Sequence, residues 1–548
     1  MKPTRTTVLA AALLFGGAAC ADLDIENPNA PDRERALAEP SDVESLISGS
    51  FNRWWNTQGS HAGFRAGLSA VGFNHSATPA NFGMVEFSQL PRQPLNNSTA
   101  WSFYSEFANT WEWSYEAAGA VREGLIAMGV GPEADPEEAV ELAEHDRALA
   151  FARFVQGLAH GTVAQLFDQG YIYDETVPLD PDNPAEIGDP IPYDQVMDQA
   201  LDYLAEAAQV ASESDFTLPD TWMSLELTSD ELAEYAHAWR ARFATTVART
   251  PEERAQVDWD QVLDDIEAAG DTDKTIRIGG DLISWGIDYG NLSGWSQMNY
   301  HFHGMADQSG DYQDWIETPP MEREAFIMET PDLRFPRGST REEQEQGIGT
   351  DEGCVNMGIH WTIPGCVDGG ASVGDQWSQA ARGTWRWSYY RDWRYWRPPS
   401  IIFSVREHPE LAARELRLLE AEALYRQGDE GAAVEIIDET RTEIGGLGTA
   451  ADNADCVPRL PAGADPDRMD GDLCGDVLEA LKWEWRTELA WKGFGTQYFA
   501  SRGWGDLPEG TFLNLPVPQQ DAELFGLEVY TTGGVGGNEA APVGGYGF

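Results

Sequence analysis

Lysine is almost missing from this chain: Lys2, Lys274, Lys482 and Lys492 are the only four in 548 residues. With 36 basic side chains against 92 acidic ones, the formal net charge is -56. A surface of that sign repels a polyanion, so nucleic acid is excluded as a partner. Long apolar runs are missing too. Beyond the first twenty residues nothing approaches the roughly 20 uninterrupted apolar residues that a spanning helix needs. The motifs that announce common catalysts are also absent: no G-x-S-x-G, no H-E-x-x-H, no G-x-x-x-x-G-K-[ST] and no dinucleotide fingerprint. Carboxylates are so frequent that spacing alone singles out no glycosidase pair.

Cysteine is scarce, five in all. Cys20 follows a secretory signal: Lys2 and Arg5, then the apolar run Val8 to Phe15, then small residues up to Ala19. A lone Cys there reads as a lipoprotein processing site, with residues 1–19 removed and Cys20 lipidated, although Gly17 stands where Leu is usual. The rival reading is an ordinary secreted chain with a chance Cys. Residues 20–40 then form an acidic, Pro-punctuated tether. The other four cysteines fall in two close pairs, which predicts the disulfides Cys354–Cys366 and Cys456–Cys474, because short loops close at least entropic cost. A zinc site is the alternative, but no C-x2-C spacing is present and His360 sits midway between two cysteines.

What the sequence has in quantity is helical periodicity. From Leu411 to Leu447, Ala412, Leu416, Leu419 and Ala423 form one apolar stripe, with Arg414, Glu415, Arg417 and Glu422 filling much of the rest of the turn. Gly428 ends that helix and Asp429 caps the next, whose buried face is Ala433, Ile436, Ile437, Thr440 and Ile444. Two such helices make a tetratricopeptide-like αα-hairpin. Helices are also predicted from Ser41, with Glu44 completing a capping box, over Trp101 to Met128, from His145, over Tyr193 to Ala211, Leu225 to Thr250 and Trp259 to Ala269, and from Asp476. His160 reads as a packing histidine, and Gly157 and Gly161 thin one helix face for close approach.

Several of these stretches resemble, in order, the SusD/RagB family of outer-membrane nutrient-binding lipoproteins. They are ANFGMVEFSQLPRQPLNN, the Ala152-Arg153-Phe154 and Phe167-Asp168 ends of a long helix, LLEAEALYRQGDEGAAVEIIDETRTEIGGL, EWRTELAWKGFGTQYFASRGWGDL and LNLPVPQQDAELFG. Lys492 and Gly495 depart from the fourth pattern, where Glu and Arg are usual. The resemblance implies a mainly α fold in which tetratricopeptide-like hairpins pack against a less regular, loop-rich half. On that plan residues 41–548 form one SusD-like domain, with hairpins at about 41–269 and 409–447 and loop-rich parts at about 270–400 and 448–548. It further implies a non-catalytic, lipid-anchored protein on the outer face of the outer membrane. Such a protein passes glycan or peptide to a TonB-dependent transporter of the SusC/RagA kind, with no cofactor. The alternative function is a secreted helical glycan-cleaving enzyme.

The chain has 21 Trp, and the segment from Gly270 to Pro399 is crowded with them while helical periodicity fades. Binding residues gather on long loops over a rigid scaffold. Trp295, Tyr300 and Trp315 are therefore the candidate ligand rings, with burial in a packed core as the competing reading. WRWSYYRDWRYW, Trp385 to Trp396, is assigned to packing, as strand or helix. Asp465, Asp467, Asp470 and Asp472 lack the order of a calcium loop and read as a solvated acidic stretch, so no metal is expected.

Overall fold

The computed structural model describes residues 37–548 except 61–63, 78–81, 133, 135–136, 138, 178–186, 292–295, 368–387, 395–402, 491 and 494. The signal, Cys20, Trp295 and both ends of the Trp385 to Trp396 cluster lie outside the described residues. The principal helices are α1 (Pro40–Gly59), α2 (Tyr104–Ala127), α3 (His145–Leu166), α4 (Tyr193–Ser212), α5 (Ser229–Thr246) and α6 (Trp259–Ala269). After a long excursion come α7 (Ala413–Arg426), α8 (Glu430–Arg441), α9 (Val477–Glu488) and α10 (Thr496–Trp504). No helix among the described residues is long and apolar enough to cross a membrane.

From α1 to α8 each helix packs on its neighbours in sequence, so the fold is mainly α and built of tetratricopeptide-like hairpins. Local signals set most of the ends. Thr228 and Glu231 exchange the reciprocal bonds of a capping box at α5, and Asp258, Asp429 and Asp476 cap α6, α8 and α9. The expected box at Ser41 does not form: α1 starts one residue earlier, with Pro40 at its first position, and Glu44 pairs with Arg147 at 2.8 Å instead. Proline's fixed φ favours that start. Gly428 takes the left-handed φ of +86° that the α7–α8 turn requires.

Close approach explains the small residues of α3. A Cβ on Gly157 would lie 2.5 Å from Leu204 of α4, and one on Gly161 would lie 2.2 Å from Phe243 of α5. His160 is satisfied as a packing residue, with Nδ1 2.8 Å from the Gln156 carbonyl and Nε2 accepting from the Tyr173 amide at 3.0 Å.

The α7 stripe is buried as its periodicity requires, but two residues of its polar face are buried with it. Glu415 receives both Nε and Nη2 of Arg242 on α5, at 2.7 and 2.6 Å, and Glu422 receives the same two nitrogens of Arg254 at 2.8 and 2.6 Å. Burial alone would raise the Glu422 carboxyl; the guanidinium groups of Arg254 and Arg426 hold it down at about 2.

Residues 279–405 leave this helical stack through a narrow neck. Strand β1 (Lys274–Ile278) follows α6, and β2 (Arg406–Leu411) pairs with it antiparallel, His408 facing Ile276, before the chain enters α7. Within the excursion helices are short, such as Trp285–Asn291, Tyr300–His303 and Asp311–Glu317. Its core is aromatic: Tyr300, Tyr312, Trp315, Phe335, Trp361 and Tyr390 pack with Trp483 of α9 and Tyr546 near the C-terminus. Two disulfides staple local loops, Cys354–Cys366 and Cys456–Cys474, with Cα atoms 5.5 and 4.8 Å apart. His360 turns instead to Glu488 of α9, with Nε2 2.9 Å from its carboxylate.

A candidate binding groove

Two segments far apart in sequence meet beside α2. Residues 86–101 form one bank, and Gly510, Thr511 and Phe512 the other, around a cavity of about 200 Å³. Backbone bonds tie each bank to the segment 532–534: Leu95 N–H donates to the Thr532 carbonyl at 2.8 Å, and Gly534 N–H to the Gly510 carbonyl at 2.7 Å. Asn97 works as a clamp. Its amide donates to the carbonyls of Val517 and Tyr530 at 2.8 and 3.2 Å, and its oxygen accepts from Gln519 N–H at 3.0 Å. Gly534 has a φ of +83°, and a Cβ there would come within 2.6 Å of Pro94. Only glycine lets the C-terminal bank lie this close.

The floor is apolar and firmly held. Phe87 meets Phe64 edge-on at 4.8 Å and Trp101 edge-on at 5.5 Å. Beneath it Arg92 is buried; its guanidinium lies over Phe73 and donates to the carbonyls of Phe87 and Val71 and to Thr511 Oγ1. Burial lowers this group to about 9. Its carbonyl partners close the ends of two short helices, Arg65–Val71 and Met84–Ser88. The rim is different in kind: Gln93 and Asn96 are exposed, and Glu86, Gln89 and Trp101 are half-buried.

The segment 527–532 behind the groove is fixed through a buried acid. Tyr530 hydroxyl donates to Asp168 at 2.6 Å, and burial raises the Asp168 carboxyl to about 6.

Of the sequence-predicted ligand rings, Trp295 lies outside the described residues, and Tyr300 and Trp315 are not part of this groove. Tyr300 and Trp315 are 1% and 5% exposed, and they pack edge-on against each other at 5.6 Å. Tyr300 also stacks on Phe326 at 4.2 Å and gives its hydroxyl proton to that residue's carbonyl, while Arg323 covers the Trp315 ring at 4.5 Å. The assignment of these two rings to a ligand surface is therefore corrected: they fill the core of the excursion. Loss of helical periodicity marked that segment as irregular, and irregular backbone can still enclose a core. Trp101, expected as the start of a helix, lies three residues before α2 and forms a groove wall. The family-like stretch ANFGMVEFSQLPRQPLNN covers this bank, and the sequence alone assigned it no ligand role.

Among the described residues no three His, Cys, Asp or Glu side chains are gathered so as to hold a metal ion. Asp465, one of the acidic-loop residues, accepts from the Asp467 amide at 3.0 Å.

No family model matches the chain, and no curated protein does. Solved structures do match along most of its length. A SusD/RagB family protein from Bacteroides thetaiotaomicron is 13% identical, covering 84% of this chain and 87% of that one, with a TM-score of 0.45. A SusD superfamily protein from Bacteroides vulgatus is 12% identical over 90% and 98% of the two chains, with a TM-score of 0.48. A SusD-like carbohydrate binding protein from the same species is 17% identical over 84% and 82%, with a TM-score of 0.41.

Proposed function

We propose that this chain is a SusD/RagB-like nutrient-binding lipoprotein that captures glycan or peptide outside the cell and passes it to a TonB-dependent transporter of the SusC/RagA kind. Residues 1–19 direct export, Cys20 carries the lipid, residues 20–40 form the tether, and residues 41–548 act as one binding body on the outer face of the outer membrane. The role is binding, not turnover.

The observation that carries this reading is the groove at Trp101. Loops borne on stacked helical hairpins supply an aromatic wall and polar rim groups over an apolar floor. Concave sites of that make-up, mostly apolar with a few placed polar groups, are where small ligands bind. The ordered series of family-like stretches and the signal ending at Cys20 support the same reading from the sequence side.

Two measurements test it together. Trp101→Ala should weaken nutrient binding by about 2 kcal/mol, as loss of a hot-spot ring does, and should leave the melting temperature nearly unchanged because the ring is half-buried. Cys20→Ala should move the protein from the membrane fraction to the soluble one. Unchanged affinity in the first variant rejects the groove, and continued membrane retention in the second rejects the lipid anchor.

A further inference from the structure

We infer that the turn joining α9 to α10 holds one small monatomic anion, chloride in a saline medium, between the Lys492 ammonium and the first amides of α10. The site shares no residue with the groove, and it stands or falls independently of the nutrient-binding reading.

Lysine is rare enough here for each one to be informative. Lys274 meets Glu234 at 2.7 Å and Lys482 meets Glu479 at 2.8 Å. Lys492 is half-buried, and its ammonium makes no hydrogen bond or ion pair to any described residue. Burial lowers its pKa and the Arg394 guanidinium adds to the effect, as expected of a charge with no counter-charge in contact. Glu488, Asp273 and Asp392 lie nearby but are engaged elsewhere. His360 and Arg334 hold Glu488, the Ala413 amide holds Asp273, and Arg394 holds Asp392.

The turn itself brings donors to this lysine. Gly493 and Gly495 take left-handed φ values of +70° and +63°, which fold residue 492 back onto the start of α10. Thr496 Oγ1 then donates to the Lys492 carbonyl at 3.0 Å. No side chain caps α10, and the backbone N–H groups of Thr496 and Gln497 donate to no described residue. An uncapped helix start carries partial positive charge. Lys492, Thr496 and Gln497 line a cavity of about 10 Å³ together with Ser69 and Asn74, and no carboxylate lines it. Roughly 10–15 Å³ admits one water-sized body, so a sulfate, a phosphate or a carboxylate does not fit.

Two buried side chains point to a ligand independently of the helix start. Asn74 is 3% exposed, and its amide makes no side-chain hydrogen bond to any described residue. Gln497 is equally buried; its nitrogen lies 2.7 Å from Ser501 Oγ and its oxygen has no partner. With its ends exchanged, the Gln497 oxygen accepts the Ser501 hydroxyl proton and the nitrogen becomes the spare donor. Buried polar groups normally have partners, and two orphans at one cavity call for a shared one. Water accepts only two hydrogen bonds, whereas the cavity offers an ammonium, two helix amides and the Asn74 side chain. Ser69 Oγ adds a hydroxyl whose contact with His75 Nδ1 is long, at 3.5 Å. A monatomic anion accepts from all of them and compensates the lysine; a cation is repelled by the ammonium and by the helix start. The acidic surface of the chain opposes any anion, but beyond about 8 Å that opposition is screened at physiological salt.

The test uses the purified full chain and halide alone. In urea unfolding at constant ionic strength, with chloride replacing gluconate, each tenfold rise in chloride beyond half-saturation should multiply the folding equilibrium constant about tenfold. Lys492→Gln should fold and lose that dependence. Crystals soaked in bromide should show an anomalous peak within hydrogen-bond reach of Lys492 Nζ and the Thr496 amide. Equal stability in chloride and gluconate, a chloride response that survives Lys492→Gln, or a cavity that keeps water in the presence of bromide overturns the anion site. If Lys492→Gln does not fold, the chloride dependence and the bromide peak of the unaltered chain decide between anion and water.

Discussion

The helical stack and the excursion both bury paired charges, and the excursion buries a cluster of imidazoles besides. In the stack, charge meets charge: Arg242 faces Glu415 and Arg254 faces Glu422, each pair on neighbouring elements and fully enclosed. The excursion has a buried charge cluster of its own, Arg334 with Asp332 and with Glu484 of α9, and adds buried imidazoles kept neutral. His301 and His303 lie inside it, and His75 lies on a strand that pairs with residues 296–298. Burial lowers all three, His303 to about 4, and nearby cations deepen the effect, Arg323 at His301 and Arg394 at His75. A repeated helical frame can place a guanidinium opposite a carboxylate at a fixed offset. Irregular backbone stacks rings as well, and stacked rings exclude the water that a charged imidazole would need.

Breaking one partner of a helical pair should show the largest effect. Arg242→Leu leaves Glu415 charged and enclosed, and should cost about 4 kcal/mol in chemical unfolding. Adding Glu415→Leu should recover most of that loss; if the single variant costs under about 1 kcal/mol, the pairs do not hold the stack. In the excursion, Trp315→Ala should cost about 3 kcal/mol through the cavity it leaves. Hydrogen exchange should localise that damage to residues 296–392, with α7 and α8 unaffected. A stable Trp315→Ala with weakened ligand affinity would reverse the correction made for that ring.

Acid should separate the two regions. A histidine whose folded pKa is lowered binds protons in the unfolded chain but not in the native one as pH drops below 6.5. Its contribution is therefore complete above pH 6.5 and declines toward its folded pKa, by about 1.4 kcal/mol per pH unit for each group. Glu422 and Glu488 have lowered folded values too, but as acids their contribution is present above about pH 4.5 and lost below it. Burial also lowers His160 on α3, so both regions should lose protection as pH falls from 6.5, and the excursion, with more such imidazoles, should lose it more steeply. Hydrogen exchange at pH 7, 5.5 and 4 checks the difference in slope, and equal losses in the two regions would contradict it. The smallest effect is expected at the seam of the groove: Asn97→Ala removes three hydrogen bonds at a partly wet edge and should cost about 1.5 kcal/mol. Groove affinity should fall more than stability does.

The same contrast governs what could be read from the amino-acid order. The α7–α8 hairpin, the exact span of α6 and the caps at Asp429 and Asp476 depend on residues within four positions of one another, so a local pattern specifies them. Burial of Glu415 and Glu422 depends on arginines about 170 positions away and left no local trace. Tyr300 and Trp315 belong to a core completed by Trp483 and Tyr546, and nothing in their own neighbourhood distinguishes an enclosed ring from a ligand platform. The groove joins residue 97 to residues 517–530, so its composition was visible on one bank only.

The two-stranded neck at β1 and β2 bears on how such a chain can change. Because the excursion leaves and returns on paired strands, its two ends sit about 4.8 Å apart whatever lies between them. The neck fixes the two ends of the excursion, while its aromatic core stays tied to Trp483 and Tyr546. Doubling the length of a loop inside it costs only about 0.6 kcal/mol of closure entropy, and the helices on either side keep their register. New surface can be tried in its loops, away from the core shared with Trp483 and Tyr546, without re-specifying the stack that carries it.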